Sequence, residues 1–231
     1  MKKFAFTLAE VLITLTVIGV VAAMVLPNLM KHYEKKTLET QTKHFYSMMT
    51  LAVHNYMADN KVDDLMDSPL FCERFESGEE CEKDVRDFIM KYLKVALVCR
   101  NINSVDNSCY ETTAKVIDKR SENHGSWGPD YILAHGYAMH VREMPNPQSP
   151  FNIIVDVNGE AGPNRGGRDI WNINVYYDGT INGAHLNPEC VKDSSCTQRT
   201  INRLFYSKCF TSYDGDGCFG HFRENGFKFD Y

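Results

Sequence analysis

Hydrophobic positions run from Val11 to Leu26 without a charge or a proline. Between Phe4 and Met30 the only charged residue is Glu10. As a helix, Phe6 to Met30 would be roughly 37 Å long at the standard rise. That exceeds a hydrocarbon layer of about 30 Å, so the stretch predicts a bilayer-spanning helix. Proline removes one helical hydrogen bond and kinks the chain, but the pattern resumes beyond Pro27. Tyr33, Leu38, Phe45, Met48, Met49, Ala52, Val53, Tyr56 and Met57 fall near i, i+3, i+4 spacing, with charges between them. The spacing predicts one helix from about Thr7 to Ala58, roughly 78 Å at the same rise. Its front half is apolar all round and its back half is amphipathic. The front half therefore needs lipid or sister helices around it.

Further on, Asp59 to Lys83 is acidic and reads as loop. Val85, Phe88, Ile89, Tyr92, Leu93, Ala96 and Leu97 line one face of a second helix, Asp84 to Val98, with Asp84 as its N-cap. Asn101 to Gly128 is polar and irregular. The period then becomes that of strands. Tyr131–Ala134 and Tyr137–Val141 flank His135-Gly136, a hairpin signal. Phe151 to Val157 is a strand ended by the Asn158-Gly159 turn, and Ile170 to Tyr177 is another, ended by Asp178-Gly179. A long helix followed by an antiparallel sheet is an α+β order. The tail, His185 to Tyr231, carries cysteines and the loop Asp214-Gly215-Asp216-Gly217.

Composition narrows the function. The chain has 231 residues, enough beyond the long helix for one domain with a real core. Its net charge is −5, and no basic patch suited to nucleic acid stands out. All eight cysteines, Cys72, Cys81, Cys99, Cys109, Cys190, Cys196, Cys209 and Cys218, follow the apolar segment. An even count in an exported domain predicts disulfides in an oxidising compartment. Pairing of neighbours would close four local loops, but eight cysteines allow 105 connectivities. No CxxC occurs and the histidines are not at ligand spacing, which disfavours zinc. No GxSxG, HExxH or P-loop is present, so the sequence predicts no enzyme. Two acidic sets have the oxygen chemistry that calcium takes: Asp156, Asn158, Glu160 and Asp169, and separately Asp214 and Asp216. Ordinary turn chemistry is the simpler reading of both, and no other cofactor is expected.

The N-terminus admits two readings by pattern. Lys2 and Lys3 ahead of an apolar run also describe a secretory signal, with Ala22-Ala23-Met24 as its cleavage region. Glu10 argues against it, because an ionised residue in the membrane costs about 2.5–3.5 kcal/mol and usually has a partner. Ala5-Phe6-Thr7-Leu8-Ala9-Glu10-Val11-Leu12-Ile13 resembles the prepilin cleavage and methylation motif of type IV pilins and type II secretion pseudopilins. Ala5 stands where that family usually has glycine. The resemblance implies a leader of residues 1–5, cleavage between Ala5 and Phe6, and N-methylation of Phe6. It implies a long helix over 6–58, transmembrane over 6–29, and an extracytoplasmic domain over 59–231. Glu10 then corresponds to the family's intramembrane glutamate, placed to pair with the Phe6 amine of a neighbouring subunit. Val155 to Asn158 with Gly159, Gly162-Pro163-Asn164, Gly167, Asp169 and Tyr177-Asp178-Gly179 is similar to the sheet region of many pseudopilin-like proteins.

The function so implied is that of a minor structural subunit of a type II secretion pseudopilus or a type IV pilus. Its partners would be other pilin or pseudopilin subunits, the prepilin peptidase, an inner-membrane assembly platform and the bilayer. It would cross the cytoplasmic membrane once, with the C-terminal domain outside the cytoplasm. Lys31, His32, Lys35 and Lys36 outnumber Lys2 and Lys3, so the positive-inside rule alone leaves orientation open. The cysteines favour an external domain. The other reading is a membrane-anchored, disulfide-rich binding domain that does not polymerise.

Overall fold

In the computed structural model, residues 7–70, 78–99, 109–110, 112–118, 124–146, 149–183 and 194–231 are described. The chain divides into two compact units, Met1–Thr37 and Leu38–Tyr231. Helix α1, Leu8–Asn60, contributes to both and keeps Pro27 inside it.

In the first unit the side chains from Leu8 to Met30 are exposed, apart from a half-buried Ala22. Thr14 and Thr16 would be polar intrusions in lipid. Each turns its hydroxyl onto its own helix, donating to Val11 O (2.9 Å) and Leu12 O (2.8 Å). The helix is long and apolar enough to cross a membrane.

The second unit is built on an antiparallel sheet of six strands in the order β1-β4-β5-β6-β7-β8. These are β1 Val95–Val98, β4 Tyr131–Leu133, β5 Ala138–Asn146, β6 Ser149–Asp156, β7 Ile170–Val175 and β8 Ile181–Gly183. Strands β2 Thr112–Lys115 and β3 His124–Trp127 pair separately as a small second sheet. Helix α2, Gly78–Tyr92, precedes β1, and the tail forms α3 Ser194–Leu204, a π-helical turn Phe205–Cys209 and α4 Phe219–Glu224. The amphipathic back half of α1 buries Leu38, Phe45, Met49, Ala52, Val53 and Tyr56 in the main core. Spacing of three and four residues keeps these on one stripe. That core also takes Phe151, Ile153, Trp171, Ile173 and Val175 from β6 and β7, and Phe219, Phe222 and Phe229 from the tail. Trp171 stacks on Phe222 with ring centroids 4.6 Å apart.

The second face of β6 and β7 carries buried asparagines. Asn152 Nδ2 reaches Asn172 Oδ1 and Asn174 Oδ1, both at 2.6 Å, and Asn172 Nδ2 donates to Asp214 Oδ2 (3.1 Å) in the tail. Buried amides need such partners, and here they supply each other. The turns follow their local chemistry. Gly136 and Gly159 lie at positive φ, 82° and 65°, where glycine carries no Cβ penalty.

Among the described residues, two disulfides join neighbouring cysteines, Cys99–Cys109 and Cys209–Cys218. Cys72 and Cys190 lie outside the described residues, as do the side chains of Cys81 and Cys196. The architecture is the α+β arrangement expected: a long apolar helix, then an antiparallel sheet domain stapled by disulfides.

Six elements depart from the sequence expectation. The second helix starts at Gly78 and ends at Tyr92, so Asp84 sits inside it and is not its cap. Val95 to Val98 is an edge strand, because Val95, Leu97 and Val98 find register with Leu133, Ile132 and Tyr131. The polar stretch before Gly128 contains β2 and β3, and the tail contains two helices.

Candidate functional site

Two regions carry chemistry. The first is the start of α1. Thr7 Oγ1 accepts the Glu10 backbone N–H at 3.3 Å. In return, Glu10 Oε2 accepts the Thr7 backbone N–H and the Thr7 hydroxyl, both at 2.8 Å. This is a reciprocal capping box, which satisfies amide groups that a helix start otherwise leaves unpaired. Glu10 thus has a partner inside its own chain, a role signalled by its Thr-x-x-Glu spacing beside the intermolecular one the resemblance implies. Ala5 and Phe6, the expected cleavage pair, lie outside the described residues. Beyond the cap, Leu12, Leu15, Ile18, Val21 and Val25 stay more than half exposed.

The second region is the connection between β6 and β7. Asp156 ends β6 opposite Ile170 and is fully buried. Its Oδ1 accepts the Asn158 N–H at 3.1 Å. Asp169, also fully buried, precedes β7. Its Oδ2 accepts from Asn164 N and its Oδ1 from Arg165 N, both at 2.7 Å. Asn158 Nδ2 crosses the loop to Gly162 O at 2.9 Å, and the Asn158 side chain also touches Asp169. The loop is fixed to β2 from outside: Lys115 N donates to Asn164 O (2.8 Å) and Arg165 Nη1 to Val116 O (2.7 Å). Gly166 runs so close to the tail that a Cβ there would lie 2.4 Å from Ser212 O.

Burial pushes the Asp156 carboxyl up to about 8, and the neighbouring Asp169 adds to the rise. Asp169 is raised to about 6, again by burial, against the pull of the Arg165 and Asn164 amides. Burial also raises the nearby Tyr110 hydroxyl, with Asp156 and Glu160 contributing.

The acidic residues singled out from sequence are therefore not gathered alike. Asp156, Asn158 and Asp169 come together, while Glu160 is exposed and does not join them. Asp214 and Asp216 spend their oxygens on the tail: Asp214 takes the Ser212 hydroxyl and the Asn172 amide, and Asp216 pairs with Lys208 at 3.0 Å. Among the described residues, no group of three or more His, Cys, Asp or Glu side chains is placed to hold a metal, and no catalytic constellation is assembled. Other buried groups tie the fold. Glu39 on α1 is buried and accepts the Phe229 N–H at 3.0 Å across 190 residues. Asp130 holds the Val141 N–H at 2.8 Å and His140 at 2.9 Å.

Comparison with known proteins bears on the first region. Residues 1–26 match a family described as "Prokaryotic N-terminal methylation motif". No curated protein and no solved structure matches the chain. The chain carries a prepilin-type methylation motif, a single long apolar N-terminal helix suited to a single-pass anchor, and a disulfide-stapled sheet domain. That is a pilin-like, membrane-anchored subunit architecture.

Proposed function

We propose that this chain is a pilin-like filament subunit. It is cut between Ala5 and Phe6 by a prepilin peptidase and assembled as a minor component of a type II secretion pseudopilus or a type IV pilus. The observation that carries this reading is the start of α1: a methylation motif over residues 1–26 leads into an apolar stretch that its own fold leaves exposed. A lone signal-anchor would need only the apolar length. The motif adds a processing step that creates a new cationic amine next to Glu10. Before assembly the stretch rests in lipid. In the filament, sister helices replace the lipid and bury the same side chains. Contacts repeated head to tail without closing give a filament rather than a ring. The domain of four paired-cysteine candidates and about 170 residues is large for a bulk subunit, which favours a minor one.

Cysteine pairs placed between Val11 and Leu26 test the reading. In membranes containing the assembly machinery, oxidation should give a ladder of multimers. A single monomer band under the same conditions supports a membrane-anchored binding domain instead.

A further inference from the structure

Two histidines from distant parts of the chain meet on the second unit. His44 lies on the back half of α1, and His135 lies in the turn between β4 and β5. Their ring centroids are 4.8 Å apart and the rings are tilted by 59°. Both residues are exposed. Tyr137 touches both. Its hydroxyl is bonded to His44 Nδ1 at 2.7 Å, and its ring stacks on His135 with centroids 5.8 Å apart. Tyr137 itself is buried, and the fully buried Phe45 meets it edge-on at 5.7 Å, which seats this part of α1 on the turn. The turn is also braced by its backbone. Gly136 N donates to Leu133 O (2.8 Å), Leu133 N to Tyr137 O (2.9 Å) and Ala134 N to Lys94 O (2.8 Å). Among the described residues, no other hydrogen bond reaches either imidazole.

We propose that His44 and His135 form a two-imidazole site for a divalent zinc or copper ion, with Tyr137 as the positioning residue behind it. The ring spacing fits. With metal–nitrogen bonds of about 2.1 Å, two imidazoles sharing one ion at about 90–109° put their centroids about 4.5–5.2 Å apart. The observed 4.8 Å lies inside that range. Imidazole suits zinc and copper, whereas calcium and magnesium take oxygen. The bond from Tyr137 to Nδ1 leaves Nε2 of His44 for the metal, and a ligand histidine is commonly held in this way through its other ring nitrogen. Two protein ligands leave the remaining positions to water, so the site is open and exchangeable rather than a closed structural one. The two histidines lie on separate elements, so ligand spacing along the chain does not reveal them. A bound ion would tie the back half of α1 to the sheet. This inference does not depend on the filament reading.

The test uses the full chain in detergent, stripped with chelator and supplied with an equimolar amount of copper(II) sulfate. Spin-echo electron paramagnetic resonance counts the imidazoles bound to copper. It should find two on the wild type and one on His44→Ala or His135→Ala. Each of these variants should also weaken copper binding by at least about tenfold. His54→Ala, which removes another exposed histidine of α1, should keep both imidazoles and the wild-type affinity. Tyr137→Phe keeps the ring stack and loses the bond to His44. It should weaken copper by about tenfold or more while both imidazoles remain bound. Excess zinc chloride should release the copper, and zinc alone should raise the unfolding midpoint of the wild type but not of His44→Ala. One imidazole or none on the wild type would mean that the two rings only pack against each other, and overturns the proposal without any variant. Two imidazoles surviving in His44→Ala or His135→Ala, or one lost in His54→Ala, would place the ion elsewhere and overturn it as well.

Discussion

Glu10 is held by Thr7, through the backbone N–H and the hydroxyl, both at 2.8 Å. A carboxylate at the front of an apolar run thus closes its own helix before any neighbour arrives. The family resemblance assigns the same carboxylate to the amine of a neighbouring subunit. Both roles are compatible, since a carboxylate has about four acceptor positions. They predict different things of the uncharged isostere.

Glu10→Gln keeps an oxygen for Thr7 and removes the charge. If Glu10 pairs with a neighbour's Phe6 amine, this variant is processed normally but gives far weaker crosslinked ladders than wild type. If capping is the whole role, Glu10→Gln assembles like wild type and Glu10→Ala does not. Normal processing and assembly in Glu10→Ala would dismiss both.

Thr7→Ala removes the other half of the box. Loss of such a cap costs about 1 kcal/mol. The expected result is fraying of the first turn, seen as faster amide exchange from Leu8 to Val11, with unfolding of the sheet domain unchanged. The two units are compact separately, so a change at the helix start should not spread.

Glu39→Ala should act on the second unit. It strips the Phe229 N–H of its carboxylate partner in a buried place. An unsatisfied buried donor costs about 1–3 kcal/mol. Denaturant melting of the full chain should show that loss, and the fluorescence of Trp171, which stacks near Phe229 with centroids 6.0 Å apart, should change as the tail loosens.

Cys209 and Cys218 are both fully buried and close a short loop within the tail. Loop-closure entropy for about ten residues amounts to about 2.5–3 kcal/mol, with native-state effects superimposed. Replacing both by serine should lower stability by at least that much, because two hydroxyls then enter the core. Replacing Cys99 and Cys109 should cost less, because Cys99 is buried but Cys109 is only half-buried.

Asp156 and Asp169 make stability depend on pH. Their folded pKa values, pushed up to about 8 and about 6, lie above the ordinary carboxylate range. The folded state therefore binds more protons than the unfolded one, and stability falls as pH rises from about 4 toward 8. A melting series across that range should show the decline.

The sequence disclosed the turns and the apolar helix best, because both depend on local chemistry. His135-Gly136 and Asn158-Gly159 announce their turns through residues that tolerate positive φ, and both glycines adopt it. Val95 to Val98 misled because Ala96 and Leu97 continue the helical spacing of Phe88 and Leu93. Only pairing with Tyr131–Leu133 makes them a strand. Strands β2 and β3 are short and polar, with no alternation to mark them. Glu39 reads as an exposed charge on an amphipathic helix, since its partner is 190 residues away. In the β6–β7 loop, sequence gave the acidic residues. It did not show that Asn164 belongs with them or that Glu160 faces solvent.

As a processed assembly segment and not only an anchor, the apolar helix must lose its first five residues. Intact mass and N-terminal sequencing of the protein from its native membrane test it most directly. The expected chain begins at N-methylated Phe6. A start near Met24, or an uncut Met1, would contradict it.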